Sequence, residues 1–361
     1  MRRTALEVLR CPECAGCLTL RAFDETSEVE EGLLTCDLCD RRFPIINAIP
    51  RLLPDVHIHV VGRYHPDFFR RWKIDPDLII GRSSKAPRTG RLKAERRTVR
   101  SYSYQWRKFK EMYPHWERVF LDSIRPITPS FFPGRRGLDA GCGFGRSLQY
   151  SASYGAEMIG LDLSEAIEAA RDNTRHLSNV HLVQGDILHP PLASAVLDFV
   201  YSVGVLHHLS DPKTGFLTLT RLLKPAAPIF IWVYLRRRGR QIAAFSLMRV
   251  LSTRMPLRLL DVVCLALATG QWLAWIMPYR ILSRFRATRR FARYIPFTLY
   301  ARYPFRALHT DWFDGLSVPL VNYYRREQVE AWYREAGLER VRIDENWGGR
   351  ALGYKLGAIQ R

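Results

Sequence analysis

The chain has 361 residues, with 55 Lys+Arg against 35 Asp+Glu, a formal net charge of +20 and a pI near 10.0. Its 47% hydrophobic content is enough to bury a sizeable core and excludes a low-complexity chain, and the length suits two domains or one with additions. The basic field favours phosphates, nucleic acid or an anionic membrane surface as partners, without specifying a fold. Met1-Arg2-Arg3 opens a segment of mixed polarity rather than an apolar run, so a cytoplasmic location is expected.

Five of the seven cysteines crowd the first 39 residues. Cys11-x-x-Cys14 and Cys36-x-x-Cys39 are separated by 21 residues, a spacing that lets two knuckles place four thiolates around zinc, with Cys17 spare. Metal-free turns or disulfides are the alternatives. So small a segment has little core of its own, and metal binding there would largely be folding energy. The stretches LRCPECAGCLTL and EEGLLTCDLCDRRFPIINAIPRLLPD, across about residues 5–55, resemble the small zinc-ribbon protein that activates eukaryotic tRNA, ribosomal and release-factor methyltransferases. That resemblance implies a structural zinc ribbon, here fused to the enzyme it braces. Asn47-Ala48-Ile49 departs from it, because a glycine usually precedes Ile-Pro.

A connector follows over 57–100. Val56–Val60 alternates like a half-buried strand, and His57, His59 and His65 read as surface histidines, with no acidic cluster beside them in sequence. Arg82–Arg100 is basic and poor in apolar residues, as a solvated linker is. RSYSYQW, residues 100–106, then leads into an amphipathic helix expected to run through Phe120.

Gly137–Arg146, GLDAGCGFGR, organises what comes next. A short apolar strand ends at Asp139, glycines stand at 141, 143 and 145, and a helix opens behind them. Glycine permits a tight turn and close ligand approach, and the helix start adds free N–H groups. An acidic residue is expected about 20 residues on, to bind ribose, and Asp162, followed by Leu163, supplies it. A third strand, Val180–Val183, runs into Asp186-Ile187, where an adenine edge could be held. A fourth, Leu197–Ser202, precedes Val203–Leu209, a helix over Thr214–Leu223 follows, and Ile229–Tyr234 is a fifth strand.

The series GLDAGCGFG, GLDLS, VQGDI, VYSVGVLHHL and LLKPAAPIFIWV resembles class I S-adenosylmethionine-dependent methyltransferases, and the HHL segment is similar to small-molecule enzymes of the ubiquinone-biosynthesis type. Ala226-Ala227 stands where that family usually has glycines. The resemblance implies an α/β fold, a Rossmann-like seven-stranded sheet whose last strand is antiparallel. It also implies S-adenosylmethionine bound by Asp139, Gly141, Gly143, Gly145, Asp162, Leu163, Asp186, Ile187 and Ser202. Related enzymes often close an aromatic segment over the cofactor, for which Tyr104 and Gln105 are candidates. His207 or His208 could take a proton from a hydroxyl acceptor; capping or packing explains a histidine there as well.

Arg236–Thr310 interrupts the pattern with fifteen arginines against one acid, Asp261. Within it Val262–Met277 is apolar for sixteen residues, short of the ~20 a spanning helix needs. A core helix, a membrane-surface or lipid-receiving cap, and an RNA-binding cap all fit. Asp311 and Asp314 suit acceptor contact or turn and capping duties. Arg325–Ala336 has helical spacing, and strands are expected at Glu339–Ile343 and Tyr354–Ile359. The domain reading is a zinc-ribbon-like 1–56, connector 57–100, cofactor-binding core 101–235, arginine-rich insert 236–320 and returning core 321–361. The function expected is O- or C-methylation of a small or lipid-linked acceptor, in the cytoplasm or at a membrane. An RNA methyltransferase and a non-catalytic cofactor-binding scaffold are the alternatives.

Overall fold

A computed structural model describes residues 1–80, 90–236, 240–345 and 348–357. They divide into two compact units, one of residues 1–95, 110–236 and 320–361, the other of 96–109 and 237–319.

The first unit is built on one sheet. Its strands are β1 (Leu18–Glu25), β2 (Val29–Cys36), β3 (Arg42–Ile46), β4 (Ile49–Leu52), β5 (Arg136–Ala140), β6 (Glu157–Asp162), β7 (Val180–Gly185), β8 (Phe199–Val203), β9 (Pro228–Val233), β10 (Leu338–Asp344) and β11 (Gly349–Lys355). Their spatial order is β1-β2-β3-β4-β7-β6-β5-β8-β9-β11-β10. Strands β5 to β9 are parallel, and β11 runs antiparallel to both β9 and β10. The near-unbroken burial of β5, β6, β8 and β9 is what a parallel sheet covered on both faces requires.

Eleven strands replace the seven expected from the sequence. The four additional ones are the antiparallel meander β1–β4, whose last member pairs in parallel with β7 through Arg51↔Gln184 and Leu52↔Gly185. An open strand edge offers unpaired N–H and C=O groups, and β4 satisfies those of β7. A second seam joins the same parts, with Arg10 N–H donating to the Pro191 carbonyl (3.0 Å) and Ala193 N–H to that of Val8 (2.8 Å). Leu52, Leu53, Ile58 and Val61 share one apolar core with Leu161, Val183 and Ile187, so the meander does not have a core apart from the sheet.

The connector differs from its sequence reading. Val56–Ile58 is a turn that feeds helices His59–Tyr64 and Pro66–Trp72, and no strand forms. His57 is buried and the His65 side chain nearly so, because each faces carboxylates from distant parts of the chain. The linker expected over Arg82–Arg100 lies partly outside the described residues; from Gly90 it is a helix running to Lys108. The helix expected through Phe120 breaks before Pro114, and a separate one covers Trp116–Ser123. The last strand ends at Lys355, and residues 358–359 of the expected Tyr354–Ile359 lie outside the described set.

The second unit is helical. Its core is Leu257, Leu260, Cys264, Phe313 and Leu316, from helices Leu257–Gln271 and Phe305–Ser317. Asp261 is buried among them. It accepts from Tyr104 Oη (2.9 Å), pairs with Lys108, and lies 3.1 Å from His309 Nε2. Thr310–Asp314 lies inside the helix Phe305–Ser317, where Asp311 accepts from Tyr300 Oη at 2.7 Å.

Candidate functional site

At the N-terminus the two knuckles converge. Sγ of Cys14 is 3.4 Å from those of Cys36 and Cys39, and Cys11 Sγ is 3.7 Å from Cys39 Sγ. Four sulfurs bonded at 2.3 Å to one tetrahedral zinc stand about 3.8 Å apart, so these separations fit zinc and are far beyond a disulfide. Cys11, Cys14, Cys36 and Cys39 form one group of potential ligands, and Cys17 is exposed outside it. All four positions are protein thiols, which makes the site a closed, structural one.

The glycine loop leaves the carboxyl end of β5. Gly141, Gly143 and Gly145 all have left-handed φ, at 86°, 54° and 83°. At Gly141 an added Cβ would come within 2.5 Å of the Val205 side chain, so the residue is fixed both by its turn and by its neighbour. Beneath the loop Asp139 is fully enclosed, and its Oδ2 has no hydrogen-bond partner among the described residues. Burial, opposed by the neighbouring Tyr201 hydroxyl, pushes the Asp139 carboxyl up to about 8. An enclosed carboxylate oxygen without a partner, under three left-handed glycines, fits a ligand that brings its own donors and positive charge.

Asp162 is turned to the same loop. Its Oδ2 accepts from Gly143 N–H (2.8 Å) and its Oδ1 from both N–H (2.8 Å) and Oγ–H (2.6 Å) of Ser164. Each carboxylate oxygen has two lone pairs, so acceptor capacity is left for a ligand hydroxyl. Burial raises the Asp162 pKa, and these hydrogen bonds oppose it. The Leu163 carbonyl accepts from Gln184 Nε2 at 3.3 Å, and Ser202 Oγ donates to the Ala140 carbonyl at 2.8 Å, tying β8 to β5. Ile187 is buried, with its carbonyl taken by Thr218 Oγ.

Asp186 is engaged both by its chain neighbours and by groups far from it in sequence. Its Oδ1 accepts from Leu188 N–H (2.9 Å), while His189 Nδ1 lies 3.4 Å from its Oδ2. His57 and Glu95 complete a group with it whose donor atoms all lie within 4.8 Å of one another. A second such group joins His65, Glu165 and Glu168. There, Arg51 supplies the cation: wholly enclosed on β4, it pairs with Glu168, donates to Gln184 Oε1 (3.0 Å) and stands 3.8 Å from Glu165. Burial would raise the Glu165 pKa, but His65 and Arg51 more than offset it, and the carboxyl is held below its usual range. Gln184 also donates to Glu165 (2.9 Å), so a meander side chain reaches the segment just after Asp162 through one amide.

Past β8, His207 and His208 sit on a short turn, both buried. The His207 ring lies 4.0 Å from Tyr234 and 4.1 Å from His208 between centroids. His208 Nδ1 donates to the Leu320 carbonyl at 2.7 Å, which fixes the tautomer and puts the lone pair on Nε2. Asn322, which the sequence did not single out, donates from its N–H and Nδ2 to the His207 carbonyl (2.9 and 3.1 Å) and cinches the turn. Tyr234 and Tyr323 stack beside it at 5.6 Å. Tyr104, a candidate above for closing over the cofactor, donates to Asp261 within the helical unit.

Comparison with known proteins agrees with this geometry. Residues 138–231 match the methyltransferase domain family, and residues 2–47 match the Trm112p-like protein family. Among curated proteins the chain is similar to the ubiquinone biosynthesis O-methyltransferase of Methylococcus capsulatus, 27% identical over 139 residues (36% of this chain, 56% of that one). It is also similar to the demethylmenaquinone methyltransferase of Staphylococcus haemolyticus, 33% identical over 100 residues (27% and 42%). The chain thus spans about half the length of these relatives. Among solved structures, one similar to it is the complex of the Haloferax volcanii Trm112 methyltransferase activator with a methyltransferase (TM-score 0.43, 14% identity, 73% of this chain and 98% of that one). The chain joins a Trm112p-like zinc-ribbon domain and an S-adenosylmethionine-type methyltransferase domain in one polypeptide.

Proposed function

We propose that the protein transfers a methyl group from S-adenosylmethionine to a small or lipid-linked acceptor. The observation that carries this reading is the enclosed Asp139 Oδ2 beneath the left-handed glycines. The cofactor supplies a sulfonium methyl that is already electrophilic, so the chain's task is alignment rather than activation. Gly141, Gly143 and Gly145 let the backbone approach it, and Asp139 answers its positive charge. Asp162 and Leu163 hold the ribose, Asp186 and Ile187 the adenine, and Ser202 keeps β8 in register with β5 at the floor.

On the acceptor side, His208 Nε2 takes the proton from an acceptor hydroxyl, because Nδ1 is committed to Leu320. His207 positions it by ring contact. The aromatic rings of Tyr234 and Tyr323 suit a planar or apolar acceptor, which supports a quinone-like or lipid-linked one. Zinc on Cys11, Cys14, Cys36 and Cys39 is structural. The divisions at 56, 100, 235 and 320, and a cytoplasmic site of action with peripheral membrane contact through 236–310, belong to the same reading.

Incubation with methyl-labelled cofactor and a cell extract tests it. Label in the organic phase supports a lipid-linked acceptor and label lost to ribonuclease an RNA one. No label in any fraction would leave a scaffold, cofactor-binding if adding cofactor still gives a thermal shift, and the absence of both would overturn the reading.

A further inference from the structure

The helical unit carries much of its apolar surface on the outside. Leu257–Leu282 is a continuous helical stretch of 26 residues, with one wider turn at Trp272–Ile276, and its most apolar window is only 28% buried. A core helix is mostly enclosed. Here one stripe, with Leu260, Cys264 and Ala268, packs inward, while Val262, Leu265, Leu273 and Trp275 are 41–62% exposed. Just beyond, Phe285, Phe291 and Tyr294 interleave with Arg284, Arg286, Arg289, Arg290 and Arg293, all of them exposed. Residues 236–310 hold a net +14 of the chain's +20, which leaves only +6 for the other 286 residues. Charge and exposed apolar area are therefore concentrated in the same segment.

We propose that this unit is a docking surface for an anionic lipid bilayer, on which the helix lies in the plane of the interface. The exposed stripe enters the acyl boundary, and the arginines meet headgroup phosphates with their guanidinium forks. The helix does not span the bilayer. Asp261 sits one turn into it, held by Tyr104, Lys108 and His309, and a crossing would strip that carboxylate of its partners and carry it into hydrocarbon. Single-stranded RNA would use the aromatic faces and arginines, but it leaves Val262, Leu265 and Leu273 wet, since aliphatic side chains offer no face for a base. A second copy would cover the apolar stripe only by setting two arginine fields against each other.

The test is co-sedimentation of the full-length, zinc-loaded protein with vesicles of phosphatidylcholine alone or with phosphatidylglycerol added. Partitioning should be about tenfold stronger or more on the anionic vesicles and should weaken as salt rises. The neutralising variants Arg284→Gln and Arg286→Gln should each cost about fivefold in partitioning. The double variant Leu273→Glu, Trp275→Glu should lose binding while its zinc content and melting temperature stay unchanged, because both sites are exposed. Bound protein should be released by alkaline carbonate, as an in-plane attachment is. Equal partitioning on both vesicle types, no partitioning, or resistance to carbonate would each overturn the proposal. So would RNA binding by the same arginines, or self-association abolished by Trp275→Glu, in a protein that ignores vesicles. The inference rests on the membrane contact included in the proposed function, and cofactor binding, measured separately, distinguishes failure of this surface from failure of the methyl-transfer reading.

Discussion

In the sheet-bearing unit Arg51 is wholly enclosed, its charge met by Glu168 and Glu165, while its terminal nitrogens also donate to Gln184 and the Ile46 carbonyl. In the helical unit Arg284, Arg286, Arg289, Arg290 and Arg293 stand in solvent beside exposed leucine and phenylalanine. The contrast separates two uses of the same side chain. An arginine sealed among carboxylates specifies which strand lies beside which, since moving the strand strands the charges. Arginines around an exposed apolar stripe specify nothing inside the unit and point to something outside it. The exception within the helical unit is Asp261, whose buried cluster plays the part there that Arg51 plays in the sheet.

The largest effect is expected from zinc. If β1–β4 owe their order to it, chelation should remove stabilisation on the order of 10 kcal/mol and abolish cooperative unfolding of the sheet unit. Cys36→Ser should lose metal, and a variant that remains folded, metal-free and active would remove the ribbon assignment. Next comes the buried-charge half of the comparison. Arg51→Met and Asp261→Asn should each cost about 3–5 kcal/mol in urea unfolding, whereas Arg286→Met should move it by less than about 0.5 kcal/mol. Equal losses at all three would erase the distinction.

The third test is titration of the glycine-loop carboxyl. Asp139 has a folded pKa raised to about 8 from an ordinary 3.8, so between those values the folded state holds a proton that the unfolded chain has lost. Its contribution is intact below the unfolded value and is lost as pH rises through the folded one. Relative to Asp139→Asn, the native protein should lose about 1.4 kcal/mol of stability per pH unit between pH 5 and 7. Parallel stability curves would show a carboxyl that is already ionised. Cofactor binding near pH 7 should also release a proton, seen as a buffer-dependent heat. Fourth, Asp162→Ala should weaken cofactor affinity by about 1–3 kcal/mol in calorimetry, and an unchanged dissociation constant would contradict the ribose role.

The smallest effect concerns backbone. Ala48 and Ala226 adopt φ of 56° and 63°, a region that costs a residue with a Cβ about 1 kcal/mol. Ala226→Gly, at an exposed turn, should raise the unfolding midpoint slightly, and a fall would mean that chain entropy outweighs the relief.

Those two alanines show how much was legible beforehand. Both stood out in the sequence as departures from a glycine, and the structure gives the reason a glycine is usual there. The glycine loop, Asp162 and the paired Cys-x-x-Cys knuckles were readable because each is a local pattern whose spacing encodes its geometry. The enclosure of His57 and His65 was not, since Glu95, Asp186, Glu165 and Glu168 lie 38 or more residues away and no periodicity links them. Nothing local singles out Arg51, because its partner strand begins 129 residues later. Asn322 was passed over for the same reason: its task is to hold a turn at His207 from across the fold. The half-buried alternation of Val56–Val60 was misread because a turn entering a helix can place two apolar residues two apart as a strand does.

The junction of β4 with β7 consists of only two registered residue pairs. Even with the second seam and the shared core beside it, an association between separate molecules would depend on their concentration. Carried on one polypeptide, the association is intramolecular, with an effective local concentration set by the tether rather than by the cell. Turnover per molecule should therefore stay constant on serial dilution.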